Sequence, residues 1–150
     1  MARTPDACSE LLLDNQLCFA LYSTSLLITK VYKPLLQPLG LTYPQYLALL
    51  VLWQEDGITV GEISARLLTD PGSLTPLLKR LEAEGLLRRI RSTTDERVVE
   101  LYLTEAGWAL QAQARRIPSC IAEASGQDMA QLMALKEQLN ALRDGFQHKR

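Results

Sequence analysis

Three thiols and a set of tyrosines spaced along one helical stretch are the groups in this sequence with the types and spacing to do redox chemistry. The cysteines stand at positions 8, 18 and 120. An odd count with wide, unequal gaps matches neither a secreted disulfide framework nor a zinc ligand set, so in a reducing compartment they begin as free thiols. With Asp14 as an N-cap, Cys18 closes the first turn of a helix, at the end where the macrodipole is positive. Tyr22 follows four residues later on the same face, within reach for a hydroxyl hydrogen bond. Tyr32 also lies on that face, but at a rise of roughly 1.5 Å per residue it stands about 21 Å from Cys18 along the helix. It can meet only the Cys18 of a second copy, if two such helices cross antiparallel near Ser25. Bland roles compete with this reading: a lone helical cysteine is most often a small buried hydrophobe, and a tyrosine amphipathic core. The single histidine, His148, lies too near the end of the sequence to be held as a base or a ligand. Histidine-based catalysis is therefore excluded, and no metal or cofactor site is expected.

The elements that must hold these groups are legible from caps and periodicity. The 150 residues are 47% hydrophobic and 22% charged with net charge −1, the composition of one globular domain with a proper core. The longest apolar run, 46–53, is too short to span a bilayer, and the polar opening, 1–10, lacks the apolar core of a signal peptide. A cytoplasmic protein with no membrane contact is expected. A first helix is predicted over 14–32, and a short helical piece over 34–39 ended by Gly40. A second helix follows, capped by the box Thr42-Tyr43-Pro44-Gln45 and ending near Asp56-Gly57. Thr59-Val60-Gly61-Glu62 repeats the box and opens a short helix that stops by Thr69. Asp70-Pro71-Gly72-Ser73 reads as a turn. The helix after it, 73–84, carries Leu74, Leu77, Leu78 and Leu81 on one face and has Pro76 in its first turn. Gly85 ends that helix, and 86–91 and 98–103 alternate as the strands of a hairpin. Helix restarts at Thr104-Glu105, is interrupted by Pro118 and stops near Gly126. A last helix carries Leu132, Leu135, Leu139, Leu142 and Phe146 at seam spacing, which requires a partner surface.

Two capped helices joined by a tight turn and followed by a basic hairpin make a winged helix-turn-helix, whose second helix enters the major groove of duplex DNA. With its leucines inward, the 73–84 helix turns Ser73, Thr75, Pro76, Lys79 and Arg80 outward, small groups for close approach beside hydrogen-bonding and cationic ones. From Pro71 to Arg91 five cations (Lys79, Arg80, Arg88, Arg89, Arg91) oppose two acids (Glu82, Glu84), a local excess of positive charge in a chain of net −1. Phosphate affinity depends on that local field. Taken alone, the Arg88-to-Arg91 run reads first as a solvated edge strand protected against aggregation, and it is the preceding helix pair that turns the reading toward DNA.

The segments Leu77-Leu78-Lys79-Arg80-Leu81-Glu82, Gly85-Leu86-Leu87, Asp95-Glu96-Arg97 and Leu103-Thr104-Glu105-Ala106-Gly107 resemble the signature of the MarR family of winged helix-turn-helix regulators. Two further segments, 13–22 and 43–50, resemble its organic hydroperoxide resistance regulator (OhrR) subgroup. The resemblance implies a mainly α fold with a small β-hairpin wing, dimerising through its N- and C-terminal helices. It implies a single domain, with the DNA-binding lobe at about 42–103 and dimerisation helices at about 10–40 and 104–147. It also implies a homodimeric repressor of operator DNA and not an enzyme, with organic hydroperoxides as the signal, with Asp95 and Arg97 shaping the wing and Arg97 at its tip reaching the minor groove.

By the same resemblance Cys18 is the peroxide-sensing cysteine, with Tyr22, Tyr32 and Tyr43 as its hydroxyl-bearing pocket. Oxidation to a sulfenic acid would be followed by condensation with a second thiol. Two-cysteine members carry a thiol near position 120, so Cys120 of the opposite subunit is the expected partner and Cys8 the second candidate. Two rival functions remain at this point: a MarR-type repressor released by an aromatic or phenolic ligand, and a cysteine-dependent peroxidase.

Overall fold

The computed structural model describes residues 8–148. The segment before the first helix forms two 3₁₀ turns, Ser9–Leu11 and Leu13–Asn15, and Gln16 Nε2 ties it to the carbonyls of Glu10 and Leu12. Helix α1 then spans Leu17–Leu36, with Gln16 at its N-cap. Asp14 is therefore not the cap. Its own 3₁₀ turn closes on itself and Gln16 is extended, so the helix starts later and Cys18 becomes its second residue. At the other end, α1 runs through Pro34 instead of stopping near Tyr32. The proline costs roughly 3 kcal/mol in a helix interior. Continuing carries Leu36 (2% exposed) and Leu39 into the core, and burying such side chains contributes roughly 1.5–3 kcal/mol each, enough to outweigh it.

Gly40, in the left-handed region at φ 70°, turns the chain into α2, Tyr43–Gln54. Both halves of the Thr42/Gln45 capping box form. This helix buries Tyr46, Ala48, Leu49, Val51 and Leu52 and is the centre of the core. A two-residue strand, β1 (Ile58–Thr59), follows and pairs with β3; it is too short to show any alternation. Helix α3, Val60–Leu67, opens with the Thr59/Glu62 box and ends at Leu68.

Helix α4 spans Pro71–Ala83 and starts two residues earlier than its leucine spacing suggests. The Asp70 carboxylate accepts from the Ser73 backbone and hydroxyl, so the expected turn is in fact a helix cap. Pro76 consequently sits in the second turn and not the first. Leu74, Leu78 and Leu81 anchor α4 on the core. Strands β2 (Leu87–Arg91) and β3 (Val99–Leu103) form the hairpin, and the sheet order is β1-β3-β2 with all pairs antiparallel.

Helix α5 (Glu105–Ala114) and helix α6 (Ile117–Ser125) break at Arg115 and Arg116, ahead of Pro118, which lies within the first turn of α6. Helix α7 spans Met129–His148 and buries no residue. Its Leu135, Leu139 and Phe146 are exposed, as are Leu17, Leu26 and Leu27 of α1. Among the described residues, no single helix is long and apolar enough to cross a membrane.

Candidate DNA interface and thiol site

The recognition face is built outward from the core. With Leu74, Leu78 and Leu81 buried, α4 exposes Ser73, Pro76, Lys79 and Arg80 on the opposite side. Thr75 is half-buried, and its hydroxyl donates to the Pro71 carbonyl. On β2, Arg88 and Arg91 are exposed, and Arg91 Nη1 donates to the Glu96 carbonyl. Arg89 is different: its backbone N–H and its Nε both donate to the Glu82 carboxylate of α4, at 3.2 and 3.1 Å. Those bonds hold the Glu82 carboxyl below its usual range.

The wing tip is organised by short polar side chains. Ser92 Oγ accepts from the Thr94 and Asp95 backbones, and Asp95 accepts from the Arg97 backbone, Nε and Nη2 at 3.0, 3.2 and 3.4 Å. Hydrogen bonds from Arg97 keep the Asp95 carboxyl below its usual range. The Arg97 side chain stays 90% exposed while being aimed. The arrangement offers a helix face of groove-compatible groups flanked by oriented guanidinium groups, the inventory needed for base-edge and phosphate contacts together.

Of the three thiols, Cys18 is on α1, Cys120 on α6, and Cys8 precedes the first 3₁₀ turn. Cys18 and Tyr22 are exposed near the start of α1. Near its other end Tyr32 packs on Tyr43 and Tyr46 of α2, with ring centroids 4.7 and 5.9 Å away. Tyr32 is pushed up to about 12, chiefly by burial and then by the neighbouring phenols of Tyr43 and Tyr46. Burial likewise raises Tyr43 and Tyr46. Beside this cluster opens an apolar cavity of about 440 Å³, with Tyr32, Leu36, Leu41 and Tyr43 on its walls and Lys30 and Lys33 at its lining. Within one chain the structure thus assembles Tyr32 and Tyr43 and leaves Cys18 and Tyr22 apart from them.

Cys120 is partly buried on α6, with Arg116 Nη1 3.8 Å from its sulfur. Cys8 is also partly buried and contacts Glu10 Oε2 at 3.4 Å. All three cysteines are free. No group of three His, Cys, Asp or Glu side chains among the described residues could hold a metal ion.

The MarR family matches residues 41–99, which run from the start of α2 into the wing. Over a longer stretch that includes this segment, the chain is 48% identical over 137 residues to the organic hydroperoxide resistance transcriptional regulator of Bacillus subtilis strain 168, covering 91% of this chain and 93% of that protein. The chain belongs to the MarR family. It is a transcriptional regulator of the MarR type, and its fold matches solved structures closely. Reduced AbfR bound to DNA, a protein of Staphylococcus epidermidis, superposes with a TM-score of 0.82 at 33% identity, covering 95% of this chain and 98% of that one. The disulfide-formed state of AbfR superposes less well, with a TM-score of 0.63 at 35% identity over 93% of each chain.

Within this MarR fold, two features escaped the sequence reading. Tyr46 belongs to the aromatic cluster, and its spacing of three from Tyr43 on one helix was the available signal. The Glu82–Arg89 pair joins two different elements, and nothing in their spacing announces it.

Proposed function

We propose that this chain is a redox-sensing repressor: a homodimer that binds operator DNA while reduced and lets go when an organic hydroperoxide oxidises Cys18. The observation that carries the reading is the split site on α1. Cys18 and Tyr22 lie exposed near the start of the helix, and the Tyr32–Tyr43–Tyr46 cluster lies near its end, on a helix whose Leu17, Phe19, Leu26, Leu27, Ile28 and Val31 are exposed. A second copy crossing antiparallel brings each Cys18 to the other chain's tyrosines. Similarity to a hydroperoxide resistance regulator supports the signal. The better fit to reduced, DNA-bound AbfR than to its disulfide form supports assigning this conformation to the DNA-competent state.

The chemistry is a two-electron oxidation. The Cys18 thiolate attacks one peroxide oxygen, the O–O bond breaks, and the alkoxide leaves and takes up a proton as the alcohol. The resulting sulfenic acid is attacked by the Cys120 thiol of the partner subunit; an S–S bond forms and water departs. Tyr22, Tyr32 and Tyr43 supply hydroxyls around the reacting sulfur. Ser73, Thr75, Pro76, Lys79 and Arg80 enter the major groove, with Arg88 and Arg91 on the backbone, Asp95 shaping the wing and Arg97 at its tip reaching the minor groove. Two recognition helices must meet major grooves about one turn apart, roughly 34 Å, so a disulfide that shifts their spacing discards both half-sites together.

The test is a gel shift on the DNA upstream of the chain's own gene, with and without cumene hydroperoxide, paired with non-reducing electrophoresis. Wild type should release DNA and form a covalent dimer. Cys18→Ser should stay bound, and Cys120→Ser should lose the covalent dimer, whereas Cys8→Ser should behave as wild type. Normal release by Cys18→Ser would refute the sensor. It would favour a ligand in the cavity of about 420 Å³ lined by Tyr46, Trp53, Gln111 and Arg115.

A further inference from the structure

Besides the buried leucines that α4 and β2 share in the core, one polar link joins the wing to the recognition helix. Strand β2 is an edge of the sheet, hydrogen-bonded on one side to β3, and Arg89 stands opposite Leu101. The Leu101 carbonyl faces the other way, where it accepts from Gly57. The N–H of Arg89 therefore points out of the sheet along the open edge, a donor with no strand to meet it. The Glu82 carboxylate reaches across from α4 and takes both that N–H, through Oε2, and the guanidinium Nε, through Oε1. One side chain thus closes the open edge, occupies the guanidinium and fixes the angle between two DNA-facing elements. Arg89 also lines a cleft of about 400 Å³ between the start of α3, α4 and the wing, shared with Thr59, Thr75 and Arg97. Freed from Glu82, its guanidinium would face any phosphate seated there.

We infer that Glu82 determines DNA specificity without touching DNA: through Arg89 it fixes the wing on the recognition helix and withholds that guanidinium from the phosphate backbone. Phosphate contacts add affinity to every sequence alike, whereas base contacts require register between the two elements. A carboxylate that removes one loose cation and locks the register lowers non-specific binding and preserves specific binding. Arg89 is then a positioning residue, and the sequence-based expectation that it contacts DNA gives way to this one.

The experiment uses full-length reduced protein and two duplexes. One is the sequence that wild type enriches from a random pool; the other is a scramble of the same length and composition. Affinity for each is measured by fluorescence anisotropy across a salt series. Each phosphate contact contributes about 0.9 to the slope of log affinity against log salt. Glu82→Ala should bind the scramble more tightly with a slope steeper by about 0.9 per protomer, and the specific-to-scrambled ratio should fall about tenfold or more. Arg89→Ala should lower the ratio with no change of slope, and the double variant should return the slope to the wild-type value. Glu82→Gln, which keeps an uncharged acceptor in place, should fall between wild type and Glu82→Ala and covers the case in which the alanine variant fails to fold. A slope that falls by about 0.9 per protomer in Arg89→Ala would make Arg89 a direct phosphate contact and overturn the inference. So would Glu82 variants that lose urea resistance while keeping the wild-type ratio, since that outcome marks a purely structural pair.

Discussion

Gly107 offers the sharpest test of how the DNA-binding elements are joined to the rest of the chain. It is the third residue of α5 and is buried; its N–H donates to the Thr104 hydroxyl and its carbonyl accepts from Trp53 Nε1 at 3.0 Å. A Cβ placed there would lie 2.1 Å from the Leu86 carbonyl oxygen and 3.0 Å from Leu103 Cδ2. An ordinary carbon-to-oxygen contact is about 3.3 Å or more, so the two backbones must part by about 1 Å. Neither can do so freely, because Leu86 O also accepts from the Thr104 backbone and the Thr104 hydroxyl donates to Gly85 O at 2.6 Å. Overpacking costs roughly 1–3 kcal/mol when neighbours can adjust. With backbone on both sides the upper end applies, and loss of the Trp53 hydrogen bond adds about 1 kcal/mol. Gly107→Ala should therefore destabilise by about 3–4 kcal/mol, lowering the urea midpoint by roughly 1.5–2 M for a slope near 2 kcal/mol per M. The assay is equilibrium urea unfolding followed by circular dichroism, at one fixed protein concentration because self-association makes apparent stability depend on concentration. Gly61→Ala is the control: its Cβ would meet only Thr59 Oγ1, at 3.9 Å, and helix propensity should make it neutral or stabilising by up to about 1 kcal/mol. A Gly107→Ala variant within about 0.5 kcal/mol of wild type, the range of ordinary surface substitutions, would show that the close approach of α5 to the turn before β2 is not real.

Leu78, fully buried on the inner face of α4, should cost about 2–5 kcal/mol on replacement by alanine, measured by the same unfolding; a loss below 1 kcal/mol would mean that α4 is not seated on the core as described. In an alkaline titration followed at 295 nm, Tyr32 should ionise last, near the value of about 12 to which its surroundings push it. Because its folded value lies above its unfolded one, the stability it contributes is intact below about 10 and fades as pH rises from there through about 12. Tyr32→Phe should remove the last-titrating phenol, and a spectrum in which all five tyrosines ionise together would contradict the cluster. Asp70, Glu82 and Asp95 are all held below the usual carboxylate range by hydrogen bonds. Their contribution is therefore complete above about pH 5 and is lost as pH falls through the depressed folded values. A triple variant with the corresponding amides should show a flatter acid limb of stability against pH.

What the sequence by itself determined is what short-range physics controls. The boxes at Thr42/Gln45 and Thr59/Glu62 formed as read, because a cap and its partner lie three residues apart and meet as soon as the turn forms. The leucine stripe of α4 marked its inner face for the same reason of local periodicity. Where two local solutions competed, contacts that periodicity does not rank decided between them. The 3₁₀ turns and the Gln16 side chain displaced Asp14 as the cap, and Asp70 turned an apparent loop into the start of α4, both through partners a few residues away, whereas tertiary burial of Leu36 carried α1 through Pro34. Strand β1 exists only because β3, more than forty residues later, offers it a ladder. The site divides in the same way. The sequence supplied the candidate thiols, phenols and cations, but their surroundings came from elsewhere in the fold. Arg89 reads as one more cation in a basic run until α4 brings Glu82 beside it. Tyr46 reads as core until Tyr32 and Tyr43 stack around it. Whether a charge is free or bound, and whether a ring lines a pocket or fills a core, depends on contacts between elements, and those contacts are set by packing rather than by any residue's spacing along the chain.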